Sequence, residues 1–251
     1  IDDEGRAQRR PEHLCLADQR HHLGAGPKVI RAGLHGNQHA LGRQQRGTRQ
    51  GGDARRAVEL APTVRTDGLD GALLAYDGQL IDDARLVTAV ARTAAQNGAK
   101  ILTRVAASDA SGTSVTLTDT VTGESMTVAA RAVVNATGVW TDEIQALSKQ
   151  RGRFRVRASK GVHVVVPRDR IVSEVAIILR TEKSVLFVIP WGTHWIIGTT
   201  DTDWNLDLAH PAATKADIDY ILGHVNTVLA TPLTHDDIDG VYAGLRPLLA
   251  G

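Results

Sequence analysis

The chain has 251 residues, with 29 Lys plus Arg against 28 Asp plus Glu, a formal net charge of +1 and 42% hydrophobic residues. That apolar content suffices for one large α/β domain or two modest ones, and the near-balance of charge gives no reason to propose nucleic acid or a membrane surface as partner. A single cysteine, Cys15, excludes an internal disulfide framework and fits a reducing compartment, so cytoplasm is the expected location.

No apolar run approaches the length needed to cross a bilayer, and "IDDEGRAQRR" has no apolar h-region behind it, so neither a transmembrane helix nor a signal peptide is expected. The chain opens on Ile1 and stops at "GLRPLLAG", and is read as a fragment.

Residues 1–54 are crowded with Arg, His, Gln and Gly, contain no aromatic residue and show no sustained apolar period of 2.0 or 3.6. They read as a poorly ordered segment, with too little apolar surface to offset the entropy of ordering. From about residue 55 the composition becomes that of a folded domain. Leu73, Leu74 and Tyr76 predict a short strand before a turn at Asp77-Gly78. Asp82 and Asp83 cap a predicted helix with Leu86, Val90 and Ala94 on one face and Asn97-Gly98 as its stop. "AKILTRV" (99–105) follows as a strand. Helix then strand is half of a βαβ unit, which places Arg104-Val105 at a strand's carboxyl end, where ligands lie.

The stretch 114–138 alternates polar and apolar residues about Thr122-Gly123, as a hairpin does, and turns apolar at Ala132–Val134 in a further strand. Asn135-Ala136-Thr137-Gly138 ends that strand. An amphipathic helix follows, with Trp140, Ile144 and Leu147 inward, Asp142 and Glu143 in its first turn and Lys149 beyond its middle. "KGVHVVVPR" puts Val162, Val164 and Val166 on one strand face and His163 and Val165 on the other. Two apolar runs about Trp191-Gly192-Thr193-His194 predict an antiparallel hairpin. Thr214 is the predicted N-cap of a helix bearing Ile218, Ile221, Leu222 and Val225, and "IDGVYAG" is the last predicted strand. The expected organisation is mixed α/β (α+β): residues 55–150, 151–240 with antiparallel strands, and a return to the first domain over 241–251.

Several positions can carry chemistry. Small residues at 135–138 let a ligand's phosphate or sugar approach the backbone, although an ordinary strand-to-helix turn uses the same residues. A neutral imidazole at His163 can take a proton from a hydroxyl near neutral pH, and a core histidine bonded to a carbonyl has the same spacing. Arg246, between Gly244 and Pro247, suits bidentate recognition of phosphate or carboxylate, or is a surface arginine in a loop. Thr199, Thr200 and Asp201 can contact a polyol or merely shape a turn. Asp201 and Asp203 are too few for a metal. Gly24-Ala25-Gly26 lacks a preceding strand and is followed by Pro27, so it is rejected as a dinucleotide fingerprint, and His13, Cys15, His21 and His22 lack a second ligand pair of finger-like spacing.

Taken in order, "YDGQLIDDARLV", "NGAKILTRV", "VVNATGVWTDEI", "KGVHVVVPR", "FVIPW", "IIGTTDTDW" and "GLRPL" resemble the FAD-dependent glycerol-3-phosphate dehydrogenase family, its actinobacterial members above all, over residues 55–251. The resemblance implies a glutathione-reductase-like FAD-binding domain, present in part over 55–150, and an antiparallel substrate-binding domain. It implies oxidation of sn-glycerol 3-phosphate to dihydroxyacetone phosphate by hydride transfer to FAD, with quinone as electron acceptor and peripheral association with the inner face of the plasma membrane. By position, Asn135, Ala136, Thr137 and Gly138 match an FAD-contacting turn and Val105 a backbone contact to the adenine. His163 matches the histidine of a Lys-Gly-x-His strand near substrate and flavin, beginning at Lys160. Arg246 matches a substrate-binding arginine, and Lys160 and Thr199 join it as substrate contacts. The family's Gly-x-Gly-x-x-Gly strand-turn, its "HGGLRY"-like segment, its late "TTYR"-like motif and its C-terminal helical domain are not found, and residues 1–54 carry none of its motifs. A related glycerophosphate oxidase, a hydroxy-acid dehydrogenase on the same fold, and a catalytically inactive fragment remain as alternatives.

Overall fold

A computed structural model describes residues 28–34, 50–76, 78–148, 152, 155–182 and 184–250. In chain order its elements are β1 (Lys28–Leu34), β2 (Gln50–Asp53), α1 (Ala54–Leu60), β3 (Leu69–Tyr76), α2 (Asp83–Gln96), β4 (Val105–Ala110), β5 (Ser114–Asp119), β6 (Ser125–Ala129), α3 (Thr141–Leu147), β7 (Arg155–Pro167), β8 (Ala176–Arg180), β9 (Val185–Trp191), β10 (His194–Gly198), β11 (Thr202–Asp203), α4 (Lys215–Val225) and β12 (Gly240–Ala250). The chain divides into two compact units. One is Ile1–Ile81, Gly161–Asp201 and Ala212–Ala243; the other is Asp82–Lys160, Thr202–Pro211 and Gly244–Gly251.

The first unit is a sheet with helices against it. Its strand order is β7-β10-β9-β8-β1-β3-β2, with β12 also pairing to β7. Every pair along that order for which a register is defined is antiparallel except β1 with β8. Alternation sets which face is buried: Val162, Val164 and Val166 are all 0% exposed, and they pack with Ile177, Leu186, Val188, Trp195 and Ile197 of the neighbouring strands. Helix α1 adds Ala57 and Leu60, and α4 adds Ile221, Leu222 and Val225. The expected N-cap of α4 is present as a capping box, Thr214 and Asp217 each accepting from the other's backbone. The expected β9–β10 hairpin turns at Gly192, whose φ of +58° suits a residue without a Cβ.

Two strands stand where no regular element is expected. β1 and β2 both lie within residues 1–54, β1 between β8 and β3 and β2 on the outer edge of β3. A strand with a ladder on each edge draws its stability from backbone pairing, so a short stretch such as "KVIRAGL" needs no long apolar alternation of its own. The Gly24-Ala25-Gly26 and His13, Cys15, His21, His22 groups lie outside the described residues.

The second unit is built differently. Helix α2 forms with the expected caps: Asp82 accepts from the Arg85 amide at 2.9 Å, and Asn97 and Gly98 (φ +90°) end it. The β4-β5-β6 meander contains the expected hairpin, with Gly123 at φ +79°. Yet no residue of α2, β4, β5, β6 or α3 is buried. Ile144 and Leu147 are half-buried and Trp140 is exposed, while Lys149 lies outside the described residues.

Two expected strands are corrected. Residues 99–104 form none, and Val105 begins β4 rather than ending a parallel strand; residues 131–137 are likewise without a ladder. The βαβ unit is therefore not formed. A strand exists only against a neighbour, and here Ile101, Leu102 and Val134 stand exposed, as do Leu86 and Val90 on the apolar face of α2.

Candidate functional site

His163 sits on β7 within the first unit, directly opposite Gly198 of β10. Its ring stacks on Tyr242 of β12, centroids 4.9 Å apart and planes at 12°. Below it the strand end is pinned by Thr200, buried, whose hydroxyl accepts from the Val162 amide at 3.0 Å. Thr199 is half-buried and donates its hydroxyl to the Thr200 carbonyl at 3.2 Å. The Gly198–Thr199 peptide is cis.

Lys160 lies in the second unit and is 3% exposed. Its position on β7 faces Thr202 of β11, and its ammonium stands 5.2 Å from the centroid of Trp204. A desolvated ammonium is costly unless compensated, and an indole face is one source of compensation. Trp204 is itself fixed, its amide donating to the Ala158 carbonyl at 3.0 Å and its indole to the Asp207 carbonyl at 2.9 Å. Arg157 pairs with Asp203 beside it.

Asn135–Gly138 is a self-bonded turn leading into a single 3₁₀ turn and α3. Thr141 donates its hydroxyl to the Gly138 carbonyl at 2.7 Å, and Gly138 has φ +60°. Helix α3 packs against β4, the strand that Val105 opens. Arg104 before it has a φ of +58°, and its carbonyl accepts both the amide (2.9 Å) and the hydroxyl (3.0 Å) of Thr120. Arg246 is half-buried on β12, in a strand rather than a loop.

The structure thus groups His163 with Gly198 and Tyr242, and Lys160 with Trp204. Gly198, Tyr242 and Trp204 are missed by the sequence reading as site residues, whereas Thr200, read there as a polyol contact or a turn residue, is found shaping the strand end through its bond to Val162. Gly198 left a signal, a glycine closing an apolar strand, which often marks close approach of another group. Tyr242 and Trp204 left none, because neither pairing is local in sequence. Among the described residues no group of three or more His, Cys, Asp or Glu is placed to hold a metal.

FAD asks for close backbone approach along its length and for a cradle for its pyrophosphate. The turn meets the first demand: Ala136, Thr137 and Gly138 are exposed, and nothing lies within 4 Å of a Cβ built on Gly138. No described helix meets the second. Asp53 accepts from the Arg56 amide at the start of α1, Asp82 and Asp83 open α2, Asp142 and Glu143 open α3, and Asp217 closes the box on α4. Carboxylates at those ends already compensate the helix dipole and would repel a phosphate.

The mixed α/β architecture and the open turn are compatible with a flavin-linked oxidoreductase, and the family shows that class: FAD dependent oxidoreductase (DAO) matches residues 11–251, and the chain is a member of it. The match takes in residues 11–54, which carry none of the motifs legible in the sequence. More particularly, the chain is 69% identical over 200 residues to glycerol-3-phosphate dehydrogenase 2 of Mycobacterium tuberculosis (strain ATCC 25618 / H37Rv), covering 78% of this chain and 34% of that protein. It is 38% identical over 205 residues to the alpha-glycerophosphate oxidase of Streptococcus pneumoniae serotype 4, covering 77% of this chain and 34% of that protein. Among solved structures it resembles the glycerol-3-phosphate dehydrogenase from Bacillus halodurans complexed with FAD, with a TM-score of 0.73 and 28% identity over 89% of this chain and 44% of that one. The chain spans about a third of the length of the curated relatives it matches.

Proposed function

We propose that the protein containing these residues oxidises sn-glycerol 3-phosphate to dihydroxyacetone phosphate and passes the electrons to quinone. The observation that carries this reading is the 69% identity over 200 residues to the mycobacterial glycerol-3-phosphate dehydrogenase 2. FAD, when bound, supplies the two-electron acceptor. The protein's own residues bind, orient and move a proton. His163, held on a strand of a packed sheet, accepts the hydroxyl proton of the substrate as a neutral imidazole. Arg246 clamps the phosphate, and Lys160 and Thr199 contact the phosphate and the polyol. The turn Asn135–Gly138 and the backbone at Val105 lie along the FAD.

In this reading residues 55–150 belong to the FAD-binding domain, 151–240 to the substrate-binding domain, and 241–251 return toward the first. The whole protein is cytoplasmic and works peripherally at the inner face of the plasma membrane, where quinone is delivered. No helix among the described residues is long and apolar enough to cross a membrane.

The likeness to the streptococcal oxidase favours a second reading, in which oxygen replaces quinone. The test uses the full-length flavoprotein under anaerobic conditions. Glycerol 3-phosphate should bleach the flavin absorbance, and a quinone analogue should restore it faster than oxygen does. Faster recovery with oxygen supports the oxidase; bleaching by a 2-hydroxy acid but not by glycerol 3-phosphate overturns the substrate.

A further inference from the structure

The His163 imidazole is bounded by two neighbours that constrain its plane. Gly198 faces it across the β7–β10 ladder, and a Cβ added at Gly198 would come within 2.4 Å of His163 Cδ2, 2.8 Å of Cγ and 2.8 Å of the Val162 carbonyl oxygen. The backbone there has little room to yield, because Gly198 also pairs with Phe187 on its other edge. The second neighbour is Tyr242, stacked on the imidazole at 12°.

We propose that Gly198 and Tyr242 are positioning residues for His163: Gly198 admits the ring against the strand, and the Tyr242 face holds its plane, so that its nitrogens keep one direction. The proposal rests on the reading of His163 as the group that meets the substrate hydroxyl. Its physical content is independent of that reading. A glycine at the end of "HWIIG" gives up the side-chain packing that a β-branched residue would supply, and the imidazole occupies the space so released. Tyr242 is 47% exposed, too open for its ring to serve chiefly as core, and its stacked face is the part turned to His163. A ring fixed on two sides needs no reorientation when a substrate arrives, which is where preorganisation gains rate.

The test has two readouts. In the purified chain with ring-labelled histidine, His163 is assigned by its loss in His163→Gln. Its ring protons should be displaced upfield by the Tyr242 ring current, a displacement removed in Tyr242→Leu, retained in Tyr242→Phe, and altered in Gly198→Ala. A His163 signal that does not move in Tyr242→Leu overturns the proposal, whether or not Gly198→Ala folds. In the full-length flavoprotein, Tyr242→Leu and Gly198→Ala should lower turnover on the order of 10–100-fold with KM for glycerol 3-phosphate little changed, and Tyr242→Phe should restore it. Loss of turnover in Tyr242→Phe equal to that in Tyr242→Leu overturns positioning by the ring face. If the ring protons respond as expected but His163→Gln turns over at the parental rate, positioning stands and the functional reading of His163 falls.

Discussion

Asn135 holds both ends of its own turn: its Nδ2 donates to the Thr141 carbonyl at 3.0 Å, while its Oδ1 accepts the Thr137 hydroxyl at 2.6 Å and the Thr137 amide at 3.3 Å. The side chain is spent on the protein itself. What is exposed is Ala136 to Gly138, so in the function proposed above the asparagine would serve a ligand by shaping that backbone rather than by touching it.

Asn135→Ala should therefore loosen the turn locally without unfolding the first unit. Losing these bonds costs about 1–2 kcal/mol, so amide exchange over 137–141 should quicken on the order of tenfold. Asn135→Asp keeps the acceptor for Thr137 but loses the donor to Thr141, and should fall between the two. Unchanged exchange in the alanine variant would remove Asn135 from this role.

At the β5–β6 turn, Asp119 accepts from the Val121 amide at 2.7 Å and the Thr122 amide at 3.1 Å. These two bonds, Val121 first, hold its carboxyl below the ordinary aspartate value. A folded-state pKa below the unfolded one means the turn's stabilisation is whole above the ordinary aspartate value and is lost as pH falls through the lowered one. An acid titration followed at the Val121 and Thr122 amides should show that midpoint below the ordinary value, and Asp119→Asn should abolish the titration.

Trp195 is wholly buried, its indole donating to the carbonyls of Arg168 at 3.0 Å and Ile171 at 3.1 Å, with the Arg168 guanidinium 3.9 Å from its ring centroid. Burial also lowers the Arg168 pKa, so the guanidinium rests on the ring at some desolvation cost. Trp195→Phe strands two carbonyls and leaves a void, a loss of about 2–4 kcal/mol that should appear as a lower urea midpoint with an unchanged slope. Trp191→Phe, at an exposed turn, should change the midpoint little.

Local signals were the most legible. The caps at Asp82 and Thr214, the stops at Asn97-Gly98, and the turns at Gly123 and Gly192 depend on residues adjacent in sequence, and each is found where the sequence places it. Pairing was less so. The apolar run at 99–105 has the composition of a strand, but composition cannot supply the neighbouring edge, and no ladder forms over 99–104. The period of α2 correctly gave an apolar face at Leu86 and Val90 without saying what covers it, and in this chain that face is exposed. β1 was missed for the opposite reason: two neighbours stabilise a segment whose own pattern is weak. At the site, His163 was visible as a polar residue on an apolar strand, whereas Tyr242, far along the chain, became its partner only through the fold.

This chain by itself should bind FAD weakly. The turn at 135–138 offers open backbone, but each of the four described α-helices carries a carboxylate at its cap or in its first turn. Titration of the purified chain with FAD, followed by flavin fluorescence quenching, should give a Kd above about 10 μM, corresponding to a binding free energy weaker than roughly −7 kcal/mol. A chain that purifies yellow with stoichiometric FAD would contradict this.

Arg246 lies half-buried on β12 and should act on the substrate's phosphate rather than on its hydroxyl. A guanidinium held by a strand can offer a fixed two-donor fork to a phosphate, and a charge-assisted pair of that kind is worth about 2–4 kcal/mol when partly desolvated. Arg246→Ala in the full-length flavoprotein should therefore lower kcat/KM for glycerol 3-phosphate by roughly 30–1,000-fold, carried mainly by KM, because the phosphate is bound equally in ground and transition states. Arg246→Lys keeps the charge but not the fork and should recover only part of the loss. Free glycerol has no phosphate to hold, so its slow oxidation should be nearly the same in parent and variant. An equal loss with glycerol would move Arg246 from phosphate binding to the folding of β12, and an unchanged KM for glycerol 3-phosphate would take it out of the site.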